Sequence, residues 1–188
     1  MRNKMILWAV ILMISVPAFA SGNEPIDIVR DFYKKYFEYL QAKKRNPPKP
    51  RIKLSEQFQK SVDKNSYVCE NYASGVCGWQ ADGDAYLDAQ EIDPNLTFVN
   101  SGITCTSTEK GIVEVKLNVY PSEKAAKNYY LREIKYKMIL EKGAWVVDDI
   151  IYKDSGSSRK AIEKETVEYL ANPDPDSKAM KRKKRAPE

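Results

Sequence analysis

"YYLREIKYKMILEKGAWVVDDIIY", residues 129–152, decides how the chain folds. In its first half Ile134, Tyr136, Met138 and Leu140 fall at every second position with Lys135 and Lys137 between them, the period of a strand with one buried face. Glu141-Lys142-Gly143 reads as a tight turn, and "AWVVDDIIY" follows as a second apolar strand, so the stretch is a β-hairpin. Working back, "GIVEVKLNVY" (111–120) alternates Val113, Val115, Leu117 and Val119 with polar neighbours. "LTFVNSGITCTST" (96–108) reads as an earlier strand, broken or bulged near Gly102. Connections this short join antiparallel neighbours, because a parallel pair needs a long crossover.

Ahead of the strands the period changes. In "PIDIVRDFYKKYFEYLQAKK" (25–44), Ile26, Val29, Phe32, Tyr33, Tyr36, Phe37 and Leu40 recur at steps of three and one, which predicts a helix with a broad apolar-aromatic face. Pro25 suits its first turn, and "NPPKP" (46–50) stops it. A shorter helix is expected from Ser55, as N-cap, through Asn65, followed by a loop holding Cys69 and Cys77. After the hairpin, Ala161, Ile162, Val167 and Leu170 mark a last amphipathic helix ending at "NPDPD". Helices first and then a run of antiparallel strands describe an α+β domain in which a curved sheet covers helices.

The first residues, "MRNKMILWAVILMISVPAFASG", put Arg2 and Lys4 before an apolar run and end it at Ala18-Phe19-Ala20. That is the pattern of a cleavable export signal, and the run is shorter than the roughly 20 residues that cross a bilayer. The expected organisation is a signal peptide over 1–20, one α+β domain over 21–172 and a flexible basic tail over 173–188, with the mature protein periplasmic or secreted. Export places Cys69, Cys77 and Cys105 where disulfides persist. Cys69 with Cys77 is the favoured pair, since the two flank the turn-like "ENYASGV"; Cys105 stands as an alternative partner for either. No C-x-x-C occurs, which excludes a thioredoxin-like redox motif.

The formal charge of +5 is concentrated at the end of the chain, in Lys178, Lys181, Arg182, Lys183, Lys184 and Arg185. The body is slightly acidic, unlike a basic nucleic-acid-binding domain, and no nucleic-acid partner is expected. A tail of this composition is expected to lack structure, with Lys181, Arg182, Lys183, Lys184 and Arg185 able to meet anionic surfaces.

Three segments carry a family resemblance: "DFYKKYFEYL" (31–40), "DGDAYLDAQEID" (82–93) and "GAWVVDDIIY" (143–152), in this order behind a signal peptide. Over roughly residues 25–171 the chain resembles the domain-of-unknown-function 3828 family of exported bacterial proteins, which belongs to the nuclear-transport-factor-2-like superfamily of cone-shaped α+β folds. The resemblance implies that Phe32, Tyr33 and Tyr36 sit on the first helix under the sheet. It matches Asp82, Asp84, Asp88, Ala89 and Gln90 to an acidic segment between helices and sheet, and Trp145, Asp148, Asp149 and Ile150 to the closing strand. Ala85-Tyr86 departs from a common Pro-Phe, and the basic tail has no counterpart. The family brings a fold and no established reaction; its superfamily includes both enzymes and non-catalytic binders.

The chemistry-bearing residues narrow the function further. "DGDAYLDAQEID" sets five carboxylates beside Gly83, but an EF-hand loop starting at Asp82 would put Tyr86 at position 5 and Leu87 at position 6, where a ligand and Gly are required. Asp82 or Asp84 is expected instead to cap a short helix over Tyr86–Glu91. The chain contains no histidine, which removes Ser-His-Asp and Cys-His nucleophiles and histidine-ligated zinc. Ser61–Lys64, Ser107–Lys110 and Ser157–Lys160 fit S-x-x-K without companion motifs. A carboxylate base with a tyrosine acid is still chemically open, with alternation turning one of Asp148 and Asp149 toward Tyr33 or Tyr36. The reading is of a non-catalytic binding protein without cofactor or metal, its partner another envelope protein such as a toxin to be neutralised; the alternative is a small-ligand or enzyme pocket in the cone. The candidate contact or pocket residues are Tyr33, Tyr36, Trp79, Asp82, Asp84, Asp88, Trp145, Asp148 and Asp149.

Overall fold

The computed structural model describes residues 24–42, 47–123 and 129–185, so the expected signal peptide over 1–20 lies outside it. The aromatic stripe forms α1, Pro25–Gln41, with Pro25 in the first turn, where its missing N–H costs nothing. Val29, Phe32, Tyr33, Tyr36 and Phe37 are its buried face. Against them lies a five-stranded antiparallel sheet in the order β1-β2-β3-β4-β5. The strands are β1 Thr104–Glu109, β2 Ile112–Asn118, β3 Leu131–Glu141, β4 Ala144–Tyr152 and β5 Gly156–Ser157. Val113, Val115, Leu117, Ile134, Tyr136, Met138, Val147 and Ile150 supply its inner face. Burying a side chain of this size contributes about 1.5–3 kcal/mol of transfer free energy, so this layer dominates the core.

The β3–β4 hairpin turns through Lys142 and Gly143, both at positive φ (52° and 79°), the geometry whose twist matches that of the strands. Its pairing slips between Lys137 and Met138: Lys137 faces Asp149, Met138 faces Val147, and Asp148 is the extra residue of a bulge. Strict alternation would bury one of the two aspartates. The bulge breaks the alternation and buries both, at 5% and 7% exposure. Leu140, expected on the inner face, is 62% exposed, because it sits at the hairpin tip beside the turn.

Other expectations are corrected in detail. The strand expected over 96–108 begins only at Thr104, after Gly102 at φ 61°. Before it, Thr97 and Asn100 exchange side-chain-to-backbone bonds (2.7 and 3.0 Å) that hold a turn in place of a sheet ladder. Ser55 does cap the second helix, accepting from Phe58 N at 3.0 Å, but α2 runs Glu56–Tyr72 and so carries Cys69 on its last turn. The Cys69–Cys77 disulfide is formed, and Cys105 is the free thiol.

α3, Ser158–Ala171, buries Ser158, Ile162 and Thr166, while Val167 and Leu170 are exposed. Its packing on α2 is polar: Asn65 Nδ2, on a fully buried residue, donates to Glu165 Oε2 (2.8 Å), Thr166 Oγ1 (3.2 Å) and Ile162 O (3.3 Å). The tail, expected to lack structure, carries a helix, α4, over Lys178–Arg185. The absence of apolar residues suggested disorder, yet polar anchors order it: Asp174 N donates to Tyr72 O at 2.9 Å, Ser177 is buried, and Lys178 pairs with Glu70 at 2.9 Å.

Candidate functional site

The acidic segment is shaped by hydrogen bonds from several directions. Asp84 Oδ1 accepts from Tyr86 N (3.0 Å) and Leu87 N (3.2 Å), and the Asp84 and Ala89 backbones pair as an isolated antiparallel bridge. The expected helix over Tyr86–Glu91 is therefore a tight closed turn, with Asp88 in the left-handed region (φ 49°). The cap on backbone N–H groups is real; the helix does not form because Asp88 turns the chain back to Ala89. Gly83 is required beside it, since a Cβ there would stand 2.9 Å from Ala89 O.

Three tyrosine hydroxyls from two other elements hold this turn. Tyr33 donates to Tyr86 O (2.6 Å), Tyr36 to Asp84 Oδ2, and Tyr152 to Ala85 O (3.0 Å). Tyr33 and Tyr36 are fully buried, and Tyr33 also meets the Tyr136 hydroxyl at 3.0 Å. Burial raises the pKa of both phenols well above the usual value; the Asp84 carboxylate adds to the rise at Tyr36, while the Tyr136 bond partly offsets it at Tyr33. These tyrosines are packing and positioning groups rather than surface contacts.

Asp148 and Asp149 work elsewhere. Asp148 accepts from Arg159 Nη1 (2.8 Å), Lys137 Nζ (3.1 Å) and Ser55 Oγ (3.1 Å). Burial would raise its pKa, but the Lys137 and Ser55 bonds and the Arg159 charge hold it below the ordinary value. Asp149 accepts from Ser157 Oγ (2.5 Å) and Arg159 N (3.1 Å). The bulged pair thus ties β4 to the starts of α2 and α3, and its partners are not Tyr33 and Tyr36, so no carboxylate–tyrosine acid/base pair is assembled there. Trp145, half-buried on β4 opposite Leu140, packs against the core near Gly111.

The remaining candidates do converge. Between residues 78–90 and α3 lies a cleft of about 410 Å³ whose walls include Trp79, Asp82, Asp84, Asp88, Tyr152 and Glu165. No lysine or arginine stands among the described residues lining it. Glu165 is fixed beside the disulfide, its Oε2 accepting from Asn65 Nδ2 and from Gly78 N (3.0 Å). Asp82 accepts from Gln90 at 3.0 Å, and both oxygens of Asp84 are engaged as above. Asp88 has its carboxyl raised above the usual aspartate value, chiefly by burial, with Arg132 opposing and Asp154 adding to the shift. The Trp79 indole N–H is buried and makes no hydrogen bond of good geometry; burial pushes the Tyr152 phenol well above the usual value, and the nearby indole N–H opposes that rise only in part.

Beyond Trp79 and Gln80 runs a second groove, about 760 Å³, which also includes Lys49, Arg51 and Tyr86. There the Lys49 ammonium lies 5.5 Å over the Tyr36 ring and 5.7 Å over the Tyr86 ring, and bonds Gln80 Oε1 at 3.2 Å. Among the described residues, the cluster of metal-ligand type is Cys69, Cys77 and Glu165, whose two sulfurs are bonded to each other. Glu165 and Tyr152 were not legible as site residues. Their membership comes from contacts such as Glu165 with Gly78, 87 positions away.

No sequence family and no curated protein matches the chain. Among solved structures, it is similar to a protein of unknown function from Bacteroides thetaiotaomicron, at 17% identity and a TM-score of 0.43, over 67% of this chain and 87% of that one.

Proposed function

We propose that this is an exported, non-catalytic binding protein whose acidic cleft receives a basic side chain of a partner protein in the bacterial envelope, in the manner of a factor that neutralises a toxin. The observation that carries the reading is the cleft: four carboxylates, Asp82, Asp84, Asp88 and Glu165, around a space of about 410 Å³ with no lysine or arginine among the described residues that line it. Carboxylates accept a guanidinium in paired, charge-assisted bonds, and an indole such as Trp79 adds attraction to a cation over its face. The space beneath the sheet is filled by Tyr33, Tyr136, Leu87 and Ile150, all fully buried, which favours recognition at the outer cleft over a ligand held inside.

Export and a periplasmic location belong to this reading and rest on the signal-like residues 1–20. So do the kinship with the exported 3828 family and the nuclear-transport-factor-2-like cone. A five-stranded antiparallel meander with bulges, packed on an aromatic helix, supports that architecture.

The test compares the protein from residue 21 onward with its Asp82→Asn, Asp88→Asn double variant, each immobilised and exposed to envelope extract. Asn tolerates the left-handed backbone at 88, so the variant keeps its fold. A partner retained by the unmodified protein and lost by the variant supports the reading. A partner held equally by both overturns it, as does thermal stabilisation by a small apolar ligand with no partner retained.

A further inference from the structure

Six of the eight residues of α4 are basic, Ala179 and Met180 being the others, and none is acidic. The formal charge of the whole chain, +5, is smaller than the positive charge of this helix alone, so the rest of the molecule is slightly acidic. The helix is also fixed in place. Ser74 N donates to Asp174 Oδ2 (2.7 Å), Asp174 N to Tyr72 O (2.9 Å), and the buried Ser177 accepts from Lys181 N (3.1 Å) at the start of the helix. Ala179 and Met180 are half-buried, and Lys178 is occupied by Glu70 on α2. Lys181, Arg182 and Lys183 are left exposed as a cationic face on a helix tied to the body at its start.

We propose that α4 docks the protein on an anionic phospholipid surface. Two features select a bilayer over a nucleic acid. The helix carries no aromatic to stack on a base and no Asn or Gln to read one. It is a single short face on an acidic molecule, which suits contact with a plane of charge but not with a polyanion that wraps the body. Its apolar residues are partly turned inward, so attachment is electrostatic, without insertion, and sensitive to salt. Among the described residues no helix is long and apolar enough to cross a membrane. Because the helix is anchored to α2, docking would also set the orientation of the cleft relative to the membrane.

The test is co-sedimentation of the chain from residue 21 onward with vesicles of mixed phosphatidylglycerol and phosphatidylcholine, against vesicles of phosphatidylcholine alone. Binding is expected to the anionic vesicles and to vanish at high salt. Each exposed basic residue near such a surface contributes about fivefold in partitioning, so Lys181→Gln, Arg182→Gln, Lys183→Gln together lower it about a hundredfold. All three side chains are exposed, and an unchanged melting temperature checks that the fold survives. The Asp82→Asn, Asp88→Asn variant is expected to bind vesicles like the unmodified protein, which separates this proposal from the cleft reading. Equal binding to neutral vesicles, retention by the triple variant, or tighter binding to an oligonucleotide than to anionic vesicles at the same salt would overturn it.

Discussion

Replacing Asp148 by alanine tests whether the bulged aspartate clamps the helices to the sheet. Its carboxylate is 5% exposed and accepts from Arg159, Lys137 and Ser55. Arg159 is mostly buried, so losing its charge-assisted bond costs about 2 kcal/mol. Ser55 is fully buried, and its hydroxyl hydrogen loses its acceptor at a cost of about 1.5 kcal/mol. Lys137 is nearly half exposed and regains water, so its share is about 0.5 kcal/mol. The total of about 4 kcal/mol is a large part of a typical domain's stability. With a urea dependence of about 2 kcal/mol per molar, the unfolding midpoint moves down by about 2 M at unchanged slope. Asp148→Asn keeps an acceptor for Ser55 and is expected to cost about half as much. The sign with pH follows from the lowered pKa: the carboxylate contributes stability above the ordinary aspartate value of 3.8, and loses it as pH falls through its lower folded value. The gap between Asp148→Ala and the unmodified protein therefore closes in that acid window. A midpoint shift below about 0.5 M at neutral pH would refute the clamp.

Four further outcomes are expected. Gly111→Ala puts a Cβ 2.5 Å from Met138 O at φ 78° and costs about 3 kcal/mol in thermal unfolding; Gly143→Ala, at φ 79° with nothing near its Cβ, costs about 1 kcal/mol. Tyr36→Phe removes the hydroxyl bond to Asp84 and lowers stability by about 2 kcal/mol in chemical denaturation; an unchanged midpoint would mean the turn is held without it. Reducing the Cys69–Cys77 bond lowers stability by about 2.5 kcal/mol, and thiol titration of the unfolded, unreduced protein counts one reactive group, Cys105. Asp88, with its raised pKa, becomes neutral at less acidic pH than an ordinary aspartate, so affinity for a cationic partner weakens there as pH falls; identical pH profiles for the unmodified protein and Asp88→Asn would refute its role.

Much of the fold is legible locally. The aromatic stripe of α1, the Ser55 cap and the Lys142-Gly143 turn each depend on residues within a few positions of one another. The errors arise where distant groups intervene. Val167 and Leu170 look like a buried face by spacing, but Asn65 attracts α3 through Glu165 and Thr166, and those two leucine and valine side chains are left in solvent. The tail looks disordered by composition, but Tyr72 and Glu70 supply anchors from another helix.

The candidate site divides in the same way. Sequence alone determined that "DGDAYLDAQEID" is rich in carboxylates, that its spacing does not fit a calcium loop, and that histidine chemistry is absent. Only tertiary structure decided which acids share a space. Asp148 and Asp149 were taken into the frame by a bulge, and Asp82, Asp84 and Asp88 were joined by Glu165 and Tyr152 to make a cleft. The physical reason is reach: side-chain period and turn chemistry act between near neighbours, whereas a cleft is closed by hydrogen bonds such as Gly78 to Glu165, formed only after the intervening chain has packed.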